Sequence, residues 1–278
     1  MSHTVAEIME IGEKPVLYIY SGEVAELDEA LLEQLGPSHT MTIIPTTPRD
    51  VGSARHAAEY FRYSGIRARS LSSRFYRDAS RLERSIMSSD AVFLLGGNTY
   101  EFLHYARSIG LFAMLERFEE QGGIIASESA GSIILSPDIS TAAVPTSCVD
   151  ENTLGLIEYS AMGRIRYHIS PHFDPNAVTL ERDLVELQAL ADQSLIPVIL
   201  LEDGEGLIFA GEDCVRVVGQ GRVLQPRNNA MLVGTRHHSD VLVDVLEPDL
   251  QSSVLTDVIP GTIPDMLETD RGSDAIAS

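Results

Sequence analysis

Residues 123–136 read GIIASESAGSIILS: an apolar run, a cluster of small residues around one glutamate, and a second apolar run. Unbroken apolar character over strand length marks a strand covered on both faces, and the small residues after it let the chain turn sharply into a helix. The same alternation runs through everything N-terminal to this segment. KPVLYIYSG (14–22), TMTIIPTTP (40–48), IRARSLS (66–72) and DAVFLLGGN (90–98) read as strands. VAELDEALLEQLG (24–36), SARHAAEYFRYSG (53–65) and DASRLERSIMSS (78–89) read as the helices between them. Residues 99–123 form a longer helical stretch with a break near Gly110. Such alternation specifies an α/β fold: a doubly wound, mostly parallel sheet with functional residues beyond the carboxyl ends of its strands.

Past the turn, RIRYHISPHFDPN (164–176) gives one more strand and a loop, with Arg164 and Arg166 alternating along the approach to His172. In the helix over 179–193, Leu180, Leu184, Leu187 and Leu190 recur at helical spacing and form a core-facing stripe. Residues 196–226 change to short strands punctuated by glycines, the pattern of C-terminal antiparallel hairpins. These elements make one domain over residues 1–234. Residues 235–278 hold nine acidic residues against two arginines, with no Phe, Tyr or Trp, and read as a partly ordered acidic appendage.

A chain of 278 residues with 44% apolar content buries a substantial core. No apolar run reaches the roughly 20 residues that span a bilayer, and the first residues lack the pattern of a secretory signal, so a soluble, cytoplasmic protein is expected. The net charge of −21 argues against nucleic acid and against an acidic membrane surface as partners. Lys14 is the only lysine, a bias that suits a salt-rich cytoplasm and equally follows from high-GC coding. Cys148 and Cys214 lie far apart and read as reduced, structural thiols. The pair His237 and His238 has no neighbouring Cys or carboxylate cluster, so no metal and no cofactor are expected.

Ser129 sits in Ser127-Glu128-Ser129-Ala130-Gly131, a variant of the G-x-S-x-G nucleophile elbow in which serine replaces the first glycine. The elbow needs small residues two before and two after the nucleophile, because larger side chains would collide in so tight a turn. A serine hydroxyl needs a base, and YHISPHFDPN offers His168 and His172. His168 lies within the strand pattern, where a satisfied core histidine is expected. His172 follows Pro171 in the loop at the strand's end, where such folds place their chemistry. The acid that orients the imidazole is Asp174 or Asp203 on these grounds.

Taken together, FLLGGNTYEFL (93–103), ESAGS (128–132), ISPHFD (169–174) and IPVILLEDGEGL (196–207) resemble the nonclassical serine peptidases that include dipeptidase E and cyanophycinase. The resemblance covers about residues 15–234 and implies a class I glutamine amidotransferase-like, flavodoxin-like fold, a small peptide or amide substrate, and a homodimer. It implies Ser129 as nucleophile, His172 as base, Asp203 as third member in preference to Asp174, and the backbone amides of Gly97 and Ala130 as oxyanion donors. Asn98 and Glu128 are assigned to substrate binding, Glu128 being suited to attract a free amino terminus. The structural alternative for Gly96, Gly97 and Asn98 is a strand-ending turn, which Gly96 would serve. The sequence departs from dipeptidase E at Thr179-Leu180-Glu181, where Leu180 stands in place of that enzyme's arginine, with Arg182, Arg164 or Arg166 as substitutes. Strict specificity for an N-terminal aspartate is therefore not expected. The alternatives are an isopeptide or amide hydrolase of cyanophycinase type and a ligand-binding homologue without turnover.

Overall fold

The computed structural model describes residues 16–144, 150–211 and 213–227. Cys148, His237, His238 and the acidic appendage over 235–278 lie outside the described residues. In chain order the first elements are β1 (Val16–Tyr20), α1 (Ala25–Leu35), β2 (Thr40–Ile44), α2 (Val51–Tyr63) and β3 (Arg67–Ser70). A 3-10 turn over Ser73–Arg77 leads into α3 (Ala79–Met87), β4 (Ala91–Leu94), α4 (Thr99–Ile109), α5 (Leu111–Glu120) and β5 (Ile124–Glu128). The second half holds α6 (Ala130–Ile133), β6 (His168–Ser170), α7 (Leu180–Ser194), β7 (Val198–Leu200), β8 (Gly206–Ala210), β9 (Asp213–Val218) and β10 (Arg222–Leu224).

Seven strands form the main sheet in the order β3-β2-β4-β5-β1-β8-β9. β3, β2, β4, β5 and β1 are mutually parallel, whereas β8 and β9 add an antiparallel edge beside β1. Alternation along each strand explains the two-sided cover. Leu17 and Ile19 of β1 and Val92 and Leu94 of β4 pack with α3, α4 and α5 on one face. Tyr18, Tyr20, Ala91 and Phe93 point the other way, into α1 and α2. Because every second side chain of a strand faces the same layer, a parallel strand between two helical layers must be apolar throughout. The break expected near Gly110 is real: this residue, at φ 71°, ends α4 and opens α5.

The strand expected within 164–176, ahead of its loop, is short. Only His168–Ser170 are in β6, which joins a separate sheet of order β10-β7-β6 rather than the main one. Arg164 precedes it and is bound elsewhere: its Nε lies 2.7 Å and 2.9 Å from the two carboxylate oxygens of Glu119, and its Nη1 donates to Gly211 O at 2.9 Å. Tertiary pairing with α5 and with the β8–β9 turn overrides the alternating pattern there. Of the leucine stripe on α7, Leu187 is fully buried, and Leu180, Leu184 and Leu190 pack half-buried around the same small cluster. Among the described residues no helix is long and apolar enough to cross a membrane.

His168 departs from the satisfied core histidine expected of it. It is fully buried, yet neither ring nitrogen meets a side chain at hydrogen-bond distance, and Asp138 Oδ1 stands 3.7 Å from Nδ1. Burial lowers its pKa below the ordinary value of 6.5, with Asp138 opposing, so the folded protein favours the neutral ring. A group held neutral in this way contributes stability that is complete above pH 6.5 and declines as pH falls from there toward the lowered folded value. Urea unfolding at pH 7.5 and 5.5 should therefore show a smaller loss of stability on acidification for His168→Leu than for the parent chain. Equal losses in the two proteins would count against this account.

Candidate active site

β5 delivers the chain to Ser129 at φ 51° and ψ −115°, a conformation that costs a non-glycine residue ~1–3 kcal/mol. The surroundings hold it there. The Ser129 amide donates to Tyr20 O at 3.1 Å, continuing the β1–β5 ladder past the last strand residue. Ser132 Oγ, fully buried, lies 3.0 Å from Tyr20 O and 2.8 Å from Ser127 O, and 3.1 Å from Ser127 Oγ. The serine that replaces the elbow's first glycine thus belongs to the network that clamps the turn. Gly131 is needed for space, since a Cβ there would stand 2.4 Å from Leu94 O on the neighbouring strand.

Three separate segments then meet at the Ser129 hydroxyl. His172 Nε2 lies 2.7 Å from Ser129 Oγ, and His172 Nδ1 lies 2.6 Å from Asp203 Oδ1. His172 follows β6 and Asp203 follows β7, so the small second sheet carries both to the carboxyl ends of β1, β4 and β5. With Nδ1 protonated toward Asp203, Nε2 is left as an acceptor for the serine proton. Gly22, just past β1, leaves the room for this pairing: its Cβ would lie 3.0 Å from Asp203 Oδ1 and 3.9 Å from His172 Cε1. Asp174 is engaged in the following turn, where its Oδ1 accepts the Asn176 amide at 2.8 Å.

The segment after β4 abuts the hydroxyl. A Cβ on Gly96 would come within 3.1 Å of Ser129 Cβ and 3.6 Å of its Oγ. It is Gly97, at φ 149°, that requires a glycine's backbone freedom, while Gly96 is required for the close approach. Thr46 Oγ1 donates to Gly96 O at 2.5 Å and would collide with any Gly97 side chain. The Gly96–Gly97 peptide is thereby fixed beside Ser129. Ala130, buried, starts α6, where the first-turn amides of a helix have no intrahelical acceptor. Such donors can stabilise negative charge developing next to the serine.

Asn98, expected on the substrate, is engaged by backbone at both ends. Its Oδ1 caps α4 by accepting the Glu101 amide at 3.0 Å, and its Nδ2 donates to Glu151 O at 3.0 Å. A residue at a helix N-terminus that satisfies an orphan amide serves the scaffold first. Glu128 is half-buried next to Ser129. Burial raises its carboxyl pKa above the ordinary range, the His172 ring and the Gly96 amide oppose this, and the Glu23 and Asp28 carboxylates add to it. Of the substitutes for an arginine after the histidine loop, Arg182 pairs with buried Asp183 at 2.9 Å and Arg164 with Glu119 at 2.7 Å, while Leu180 itself packs in the α7 cluster. Thr46, Ser132 and Gly22 went unnoticed in the sequence because each is a small residue at a strand or turn end, a position with no pattern of its own.

The model of peptidase family S51 matches residues 17–217. "Peptidase E" of Shewanella amazonensis is 26% identical over 138 residues, which are 46% of this chain and 54% of that protein. "Peptidase E" of Shewanella denitrificans is 25% identical over 146 residues, 49% of this chain and 57% of that protein. The chain thus spans little more than half the length of these relatives. A 1.5 Å crystal structure of a Listeria monocytogenes EGD-e protein superposes with a TM-score of 0.59 at 19% identity, covering 74% of this chain and 100% of that one. The structure of a peptidase from an acI-B1 Actinobacterium gives 0.50 at 17% identity, over 76% and 91%. At these identities the two structures speak to the fold alone.

Because the elbow backbone has no slack against β4, Gly131→Ala should destabilise the protein by ~1–3 kcal/mol through overpacking. Urea titration of both proteins measures the difference, and an unchanged midpoint would contradict the packing described.

Proposed function

The chain belongs to peptidase family S51, and on that premise we propose that it is a serine-type peptidase hydrolysing small peptides, with Ser129, His172 and Asp203 as its catalytic residues. The observation that carries this reading is the unbroken chain of hydrogen bonds from Ser129 Oγ through the His172 ring to Asp203 Oδ1. Ser129 Oγ attacks the peptide carbonyl carbon while its proton passes to His172 Nε2. The resulting oxyanion is held by the Gly97 and Ala130 amides. Collapse breaks the C–N bond, with His172 returning the proton to the leaving amine and an acyl ester remaining on Ser129. Water then attacks the ester with His172 as base, and the acid product leaves.

Glu128 supports a finer reading, a substrate with a free α-ammonium. A half-buried carboxylate among other carboxylates, beside the scissile position, favours a cation there and disfavours an acidic group. Leu180 in the position of dipeptidase E's arginine points the same way, since an N-terminal aspartate would find no cationic partner from that helix position.

Incubation of the full chain with a fluorophosphonate should place the adduct on Ser129. His172→Ala should reduce kcat on dipeptides by up to ~10⁶-fold, leaving the residual catalysis that the oxyanion donors and binding supply. Asp203→Asn should cost less, near the low end of ~10²–10⁴-fold, because Asp203 is 72% exposed and water can partly replace it. A folded protein without an adduct over a range of pH would overturn the reading in favour of a ligand-binding homologue.

For the finer reading, the comparison is between dipeptides with free and with acetylated amino termini. Acetylation should lower kcat/KM by ~10-fold or more, and Glu128→Gln should remove most of that discrimination. Equal rates on both substrates would instead favour an isopeptide or amide hydrolase of the cyanophycinase kind.

A further inference from the structure

We propose that Ser21 is a positioning residue that locks the base loop and the acid loop of the site into one arrangement; this rests on His172 and Asp203 acting as described above. Ser21 is the first residue after β1 and is fully buried. Its hydroxyl has one proton to give and lone pairs to accept with, and the two loops take both functions. Ser21 Oγ donates to Leu201 O at 3.0 Å and accepts from the His172 amide at 2.7 Å. Its own amide donates to Glu205 O at 3.1 Å. One small residue therefore touches the base residue and both flanks of Asp203: the hydroxyl reaches His172 and Leu201, and the backbone amide reaches Glu205.

The need for such a clamp comes from the backbone. The β6–β7 ladder continues past the strand ends, with Leu201 N donating to Ser170 O at 3.0 Å and Phe173 N to Leu201 O at 2.9 Å. His172 lies between those two bonds at φ 57°, a left-handed conformation that turns its amide out of the ladder. An amide turned inward needs an acceptor, and Ser21 Oγ supplies it. The acid loop is fixed from its other side by Glu205, whose buried carboxylate accepts the Glu202 amide at 2.9 Å and the Gln220 amide at 2.7 Å. With Ser21 Oγ removed, the His172 amide loses its acceptor and the two loops lose their shared hydroxyl. The imidazole is then free to shift relative to both Ser129 and Asp203.

The test compares Ser21→Ala, Ser21→Cys and Ser21→Thr in the full chain. Cysteine keeps nearly the volume of serine but bonds weakly, whereas threonine keeps the hydroxyl. Ser21→Ala and Ser21→Cys should lose ~10–100-fold in kcat and in the rate of fluorophosphonate labelling, with KM little changed, as expected of a displacement of about 1 Å at the base. Ser21→Thr should recover part of that loss. Imidazole ¹⁵N spectra, with His172 assigned by its absence in His172→Ala, should show one tautomer protonated on Nδ1 in the parent chain and a mixture in Ser21→Ala.

A Ser21→Cys protein with parental kcat and a single tautomer would overturn the proposal, because volume alone would then suffice. The two readings fail differently. If the catalytic assignment is wrong, the parent chain neither labels nor hydrolyses, yet its His172 tautomer still responds to Ser21→Ala. If the present proposal is wrong, the parent is active and the tautomer is indifferent to Ser21.

Discussion

The site depends on one unfavourable backbone conformation, that of Ser129, and on the sheet's capacity to hold it. A serine at φ 51° and ψ −115° does not persist in a free chain. Here it persists because β1 captures its amide through Tyr20 O and a buried Ser127–Ser132 pair closes the turn beneath it. The strain raises the hydroxyl above the sheet, where residues from other strand ends can reach it. Rigid parallel strands provide the framework, and the loops beyond them supply the chemistry.

The same economy of small residues recurs around the hydroxyl. Gly22, Gly96 and Gly131 each leave space in which a methyl group would press on Asp203, Ser129 or Leu94. Hydroxyls of Ser21, Thr46 and Ser132 bond backbone groups at the tight turns, Ser21 accepting the His172 amide and Thr46 and Ser132 donating to Gly96 O and Ser127 O. Buried peptide groups without partners are costly, so a site built from bends must carry short polar side chains to satisfy them. His168 shows the contrary case: a buried ring four residues from His172 whose nitrogens meet no side chain at hydrogen-bond distance, with Asp138 Oδ1 3.7 Å from Nδ1.

Electrostatics set the character of the mouth. The chain is strongly acidic as a whole, and beside Ser129 burial raises the carboxyl pKa of Glu128, with the Glu23 and Asp28 carboxylates adding to it. Arginines that could offset them lie in scaffold pairs, such as Arg164 with Glu119 and Arg182 with Asp183. Such pairs are held by burial and geometry, and breaking one would leave an uncompensated buried charge.

The sequence by itself determined the alternating order of strands and helices, the break at Gly110, and the elbow at Ser129. These are properties of periodicity and of local steric need, which a short window contains. It also favoured the histidine after Pro171 as the candidate base, but left Asp174 and Asp203 both open as its partner on the residues alone. Only the tertiary structure brings Asp203 to the imidazole, because that choice depends on β6 and β7 lying side by side in a second sheet. It likewise shows Asn98 capping α4 and Arg164 in an ion pair with buried Glu119. Periodicity reports which side of an element is buried; which distant partner waits on that side is decided by loop closure over many residues, and no local pattern encodes it.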